Sequence, residues 1–321
     1  MNGTAPPPRP ASRTTSIRRC LLGAFVLLCS CSPPAARDRG DTPVRGDQVV
    51  PLATVEADGH RYVARADLGI GRDVPLMVHG NAGMYLQVTH GVGERINGGP
   101  VRKAKDYGYS SKGMGVIDVP LLRLGARRFS NLRDVPVFDF TEDVDTTIQG
   151  MLGVAFLTAE RAAVDFSRDV LILGVDLSVD PNRRLVEGGY RYAPMTLGAR
   201  QRPTITVRFP AIDRALPVTP STVANALTLH RTLFADAVPM RRRASPDRSP
   251  SGTSPDLFVS DSIAFEVAGV RFRSPASFED FAEYSAVPET ELESFGMLGY
   301  DWMKEHEAIL DYANRLLYFK P

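Results

Sequence analysis

The sequence predicts a mainly β chain built as two tandem lobes. Three observations carry that expectation: short apolar runs bounded by turn residues, an internal repeat, and a length of 321 residues. Such a length is generous for one core and comfortable for two domains of ordinary size. The repeat is the strongest signal. Shifting the chain by 146 residues lays Gly150-Met151-Leu152-Gly153 on Gly296-Met297-Leu298-Gly299, and Asp165 on Asp311. Seven of 24 positions in this gapless block are identical, where about one or two would match by chance, and a fixed offset of this kind marks duplicated units. Phe156 meets Trp302, Phe166 meets Tyr312, and the apolar run Val170 to Leu173 meets Leu316 to Phe319.

Each copy opens with a hairpin pattern. In the first, Tyr62 to Leu68 is followed by Gly69, Gly71 and Asp73 and then by Pro75 to Val78; in the second, Thr204 to Phe209 is followed by Pro210 to Asp213 and Leu216 to Val218. The middle of the first copy offers Met114 to Leu121, a turn at Gly125 and Val135 to Phe140. The second offers Leu257 to Val270 and then a polar stretch. The repeated blocks predict a buried strand, a Gly turn, a helix over Val154 to Ala163 or Tyr300 to Glu307, a turn around the Asp, and a closing strand. The lone Trp302 falls on the apolar side of the second helix and reads as core. The lobes are placed at 49–179 and 180–321. Residues 236–255, dominated by Pro, Ser and Arg, read as a mobile insertion whose basic run Arg241 to Arg243 is a solvated loop.

Charge excludes one class of partner. Against 38 Lys and Arg stand 37 Asp and Glu, so no long-range field gathers nucleic acid, and none is expected as a partner. The first 30 residues read as an address: a basic stretch ending in Arg18-Arg19 runs into Leu21 to Leu28, which is too short to span a bilayer. It ends at Leu28-Cys29-Ser30-Cys31, which resembles a bacterial lipobox. Cys31 is the expected lipidation site, and 31–48 a flexible tether to the membrane. Because Cys20, Cys29 and Cys31 all lie here, a mature chain keeps one cysteine and forms no internal disulfide. The expected location is the cell envelope, lipid-anchored at the periplasmic face or outer membrane.

The blocks "GMLGVAFLTAERAAVDFSRDVLIL" and "GMLGYDWMKEHEAILDYANRLLYF", with the opening hairpins, make the chain from about Val49 onward similar to the retropepsin-like aspartic peptidase family. Its duplication resembles the bilobal pepsin-type arrangement. The resemblance implies two tandem retropepsin-like β-barrel lobes about a pseudo-twofold axis. It also implies an Asp-Thr/Ser-Gly turn in each lobe, the two carboxylates sharing one proton so that one is base and the other acid. The first such turn falls on His79-Gly80-Asn81-Ala82. The second falls on Ser221-Thr222-Val223-Ala224, or on a shifted register in which Asn225-Ala226 matches Asn81-Ala82. Neither register supplies an Asp, and no Asp-Thr-Gly or Asp-Ser-Gly occurs in the chain.

The family's catalytic residues therefore have no counterpart to carry over. The expectation is a non-catalytic scaffold that holds an extended peptide or a cell-envelope ligand between its lobes. Contacts are expected from His79, Asn81, Ser221, Thr222 and Asn225, with Tyr107 and Tyr109 on a flap-like hairpin above them. The alternative is a hydrolase with a non-standard site, in which His79 serves Ser221 as base. A metal site would have to draw on His79, His90 and Glu94. The five histidines, His60, His79, His90, His230 and His306, show no zinc-site spacing, so neither metal nor cofactor is expected.

Overall fold

In the computed structural model of the chain, the described residues are 44–56, 60–71, 73–103, 115–137, 148–178, 180–243, 257–282 and 288–321. The N-terminal segment with Cys20, Cys29 and Cys31, expected to be a leader, and the flap candidates Tyr107 and Tyr109 lie outside them.

The first lobe follows the order β1 (Gln48–Glu56), β2 (His60–Ala66), β3 (Val74–Val78), β4 (Leu86–Val88), α1 (His90–Asn97), β5 (Arg102–Lys103), β6 (Gly115–Leu124), β7 (Arg127–Val137), β8 (Gly150–Leu152), α2 (Val154–Ala159), β9 (Ala163–Asp165) and β10 (Val170–Leu173). The opening hairpin pairs β2 with β3, and β3 then runs parallel to β8, with Leu76, Met77 and Val78 opposite Gly150, Met151 and Leu152. β8 pairs in turn with β4, antiparallel. All residues of β3, β4 and β8 are buried, and strands covered on both faces read as continuous apolar runs rather than as alternation.

The second lobe repeats this plan after α3 (Arg183–Glu187): β11 (Arg191–Pro194), β12 (Thr196–Leu197), β13 (Pro203–Phe209), β14 (Arg214–Pro220), β15 (Leu227–His230), α4 (Arg231–Phe234), β16 (Arg241–Arg243), β17 (Leu257–Val267), β18 (Val270–Glu279), β19 (Gly296–Leu298), α5 (Tyr300–Glu305), β20 (Ile309–Asp311) and β21 (Leu316–Phe319). Here β14 runs parallel to β19, and β19 pairs antiparallel with β15. The architecture is mainly β, two tandem lobes of the same plan in a bilobal arrangement.

A pseudo-twofold axis is visible in the backbone. β20 of one lobe pairs antiparallel with β9 of the other, with Ile309 opposite Asp165, Leu310 opposite Val164 and Asp311 opposite Ala163. Leu310 and Val164 are equivalents in the repeat, so the axis passes between them. The flanking bonds obey it: Phe166 N–H donates to Ala308 C=O at 2.9 Å, and Tyr312 N–H to Ala162 C=O at 2.9 Å. The six strands β11-β21-β20-β9-β10-β1 therefore form one sheet that belongs to both lobes. One core cluster, including Val78, Phe156, Phe209 and Trp302, spans both lobes, and a second, including Ile172, Ile309 and Tyr318, packs on the shared sheet.

Several expectations need correction. The helices of the repeated blocks stop at Ala159 and Glu305, four and two residues early. Just beyond, Arg161 and its equivalent Glu307 turn into the left-handed region, with φ of 48° and 47°, which ends a helix. β7 begins at Arg127 rather than Val135, and the run from Leu257 to Val270 divides at Ala268-Gly269 into a hairpin. Its second strand was hidden because only Phe272, Ala276 and Phe278 are buried among Arg, Ser and Pro. The run Arg241 to Arg243 is not a loop: it is an edge strand paired with Leu257, Phe258 and Val259. Charged side chains on an edge discourage pairing with another chain.

Candidate functional site between the lobes

The two turns sit where β3 and β14 end. His79 N–H donates to Leu152 C=O at 2.8 Å, and Ser221 N–H donates to Leu298 C=O at 2.9 Å. Beyond them Val154 N–H donates to Ala82 C=O and Tyr300 N–H to Ala224 C=O, both at 2.7 Å. Since Leu152 and Leu298 are equivalents, Ser221 is the mate of His79 and Ala224 of Ala82. This fixes the second-lobe register as Ser221-Thr222-Val223-Ala224. The shifted register, with Asn225-Ala226 on Asn81-Ala82, does not form.

The turns bind each other. Thr222 Oγ1 reaches across, donating to Val78 C=O at 2.8 Å and accepting from Gly80 N–H at 2.8 Å, all of it buried. The reciprocal pair is missing, because the equivalent of Thr222 is Gly80, which has no side chain. Its place is taken: a Cβ at position 80 would overlap the hydroxyl of Tyr312 and press on Thr222. The Tyr312 hydroxyl is buried without a hydrogen-bond partner, and burial pushes its pKa up. A second bridge joins Asn81 Nδ2 to Ser221 Oγ at 2.9 Å. Asn225 is the equivalent of Gly83. Its Oδ1 accepts from His60 N–H at 2.9 Å and from Arg61 Nη1 at 3.4 Å, tying the start of β2 to the other lobe.

His79 is kept neutral. Burial is the largest cause, the Arg61 guanidinium the next, and Arg202 adds to it, so its pKa is pushed down to about 4. Its Nδ1 accepts from Asn81 N–H at 3.4 Å, which places the ring proton of the neutral form on Nε2.

This geometry answers the rival readings. Ser221 is fully buried, and its Oγ accepts three N–H donors: Asn81 Nδ2 at 2.9 Å, Val223 N at 3.2 Å and Ala224 N at 2.9 Å. His79 makes no hydrogen bond to it, so the pair is not assembled as nucleophile and base. Thr222 is also fully buried and is spent on the lobe contact. Of the expected contact residues, His79, Asn81 and Asn225 keep partial exposure. Among the described residues no three His, Cys, Asp or Glu side chains are grouped to hold a metal ion, so His79, His90 and Glu94 do not converge. Trp302 lies in the core, against Phe272 and Phe319.

Sequence reasoning missed His60, Arg61, Arg202 and Tyr312. His60 stacks at 4.9 Å on Tyr300 of the other lobe. Beside it, Asp169 accepts from the Tyr62 hydroxyl of its own lobe and from the Lys304 ammonium of the other. The available signal was the hairpin alignment: Arg61 and Arg202 occupy equivalent positions in the two copies.

No protein-family model and no curated protein matches the sequence. Among solved structures, the chain is similar to an aspartic proteinase from Irpex lacteus at 13% identity and a TM-score of 0.46, covering 85% of this chain and 96% of that one. It is also similar to conglutin gamma, a basic 7S globulin from lupine seeds, at 15% identity and a TM-score of 0.43, covering 85% and 94%. The EIAV protease complexed with the inhibitor HBY-793 matches 34% of this chain and 92% of its own, at 18% identity and a TM-score of 0.24.

Proposed function

We propose that this chain is an exported lipoprotein with an aspartic-peptidase-like fold that does not cleave peptides, and that it binds an extended peptide or cell-envelope ligand in the cleft between its lobes. One observation carries the reading. The two positions where the lobe turns meet hold His79 and Ser221, and the charged groups that act on His79 are Arg61 and Arg202, not a carboxylate. Aspartic catalysis needs two groups whose mutual repulsion leaves one ionised and one protonated. A neutral imidazole and a buried hydroxyl saturated with N–H donors do not split a proton between them. The hydrolase reading has no observation in its favour.

The test is a digest. Purified protein incubated with a peptide library from pH 3 to pH 7 should give no cleavage above a buffer blank, with or without a pepstatin-type inhibitor. Acid-dependent cleavage abolished by that inhibitor would overturn the non-catalytic reading. Export and anchoring rest on the basic stretch, the short apolar run and Cys31. Replacing Cys31→Ala should move the protein from the membrane fraction to the soluble one, and continued partition with membranes would contradict the anchor.

A further inference from the structure

The two hairpins that open the lobes carry an arginine at the same place. Ala64 pairs with Leu76, three residues before His79, and Ile205 pairs with Val218, three residues before Ser221. Arg61 lies three residues before Ala64 and Arg202 three before Ile205. The pseudo-twofold relation between the turns thus holds for the backbone positions of these two arginines as well.

Both hairpin starts touch the turn of the opposite lobe. On one side, His60 N–H and Arg61 Nη1 bond to Asn225. On the other, a Cβ at Gly83 would come within 3.0 Å of Arg200 C=O and 4.0 Å of Gln201 Cβ, so residues 200–201 lie directly on the first-lobe turn. Arg202 follows. It is half-buried, and its side chain makes no hydrogen bond or ion pair among the described residues. Of the nearby carboxylates, Glu293 accepts from Arg200 N–H through Oε1 at 3.0 Å while its Oε2 is buried against Gly198 without a hydrogen bond, and Glu291 lies 4.0 Å from the Arg200 guanidinium; neither is paired with Arg202. Asn81 Oδ1, beside the turn contact, is buried without a partner.

A half-buried guanidinium without an ion pair, close enough to act on the neutral His79 imidazole, can hold one more negative charge, while the unpartnered Asn81 Oδ1, an acceptor, calls for a peptide N–H of the same ligand. A carboxylate fits it, because it accepts two parallel N–H bonds from the planar fork of an arginine. A cationic ligand is disfavoured by the same charges. An acid pair at the turns would have reversed this preference.

Resting on the cleft reading above, we propose that the inter-lobe site selects an extended peptide bearing an Asp or Glu side chain, whose carboxylate is held by Arg202 on the first-lobe side of the turn contact. The likeness of position makes Arg61 the second positive group of the cleft, already braced by Asn225.

The experiment uses purified full-length protein in detergent and two fluorescein-labelled degenerate octapeptide pools, one with Glu fixed at the two central positions and one with Gln there. Fluorescence polarisation should show the Glu pool binding on the order of tenfold more tightly, with the difference shrinking as salt rises. Arg202→Gln should erase that preference, so that the two pools bind that variant equally, while Arg202→Lys should keep part of it. Thermal melting of the variants reports whether they fold, and the Glu-to-Gln ratio of the unaltered protein needs no variant. Equal binding of both pools, or a preference that survives Arg202→Gln, would overturn acid selection and leave the cleft reading standing. Binding of neither pool would overturn both.

Discussion

Replacing Thr222→Val should destabilise the protein by roughly 2–4 kcal/mol, because valine keeps the shape of threonine but strands the buried N–H of Gly80 and one acceptor bond of Val78 C=O. For a chain of this size that lowers the melting temperature by roughly 3–7 °C. The control is three residues upstream on β14. Thr219 is also buried, but its hydroxyl has no partner, so Thr219→Val removes an unsatisfied polar atom and should be neutral or stabilising. Circular-dichroism melts of the two variants compare the same chemical change with opposite expected signs. If both lose stability equally, the cross-lobe bonds of Thr222 are not what holds the turns together.

The second large effect is acid sensitivity. His79 is held neutral in the fold with a pKa near 4 against 6.5 for the free side chain. The unfolded chain therefore binds more protons between those values, and stability falls as the pH drops through that window. It is fully present above pH 6.5 and lost progressively down to about pH 4, by roughly 3 kcal/mol in total. Asp165 and Asp311 act in the opposite sense, since burial raises their pKa values and folding then takes up protons as acid is added. Comparing the unaltered protein with His79→Gln isolates the histidine. Urea midpoints should converge or cross as the pH is lowered from 7 to 4.5, with the unaltered protein losing more. Parallel midpoints across that range would mean that His79 is solvated and free to protonate.

The fold was largely legible because the late blocks repeat without a gap: their Gly-Met-Leu strands pack beside the turn-bearing strands of each lobe, and their Asp and closing strands form the sheet the lobes share. Gly150 shows why such residues leave a strong trace: a Cβ there would press on Gln87 C=O and Leu76. The turn register was not legible. The stretch from turn to block is four residues longer in the second lobe, and nothing between Ser221 and Asn225 marks which residue follows the strand. Hydrogen bonds from Ser221 to Leu298 decide it. β18 escaped for a different reason, since Ser274 interrupts the inward series Phe272, Ala276 and Phe278, and Arg271, Arg273 and Pro275 fill the outward one. Arg202 was one basic residue among 38, and only strand pairing brings it beside the first-lobe turn.

The hydroxyl of Tyr312 that occupies the room above Gly80 makes the route back to a paired-hydroxyl contact depend on the order of steps. A threonine introduced at position 80 first would meet Tyr312 and Thr222 at once. Tyr312→Phe taken first removes an unpartnered hydroxyl, costs little, and opens the space that a threonine then fills. The same two substitutions are blocked in one order and passable in the other, so the packing around Gly80 makes the result depend on which is introduced first.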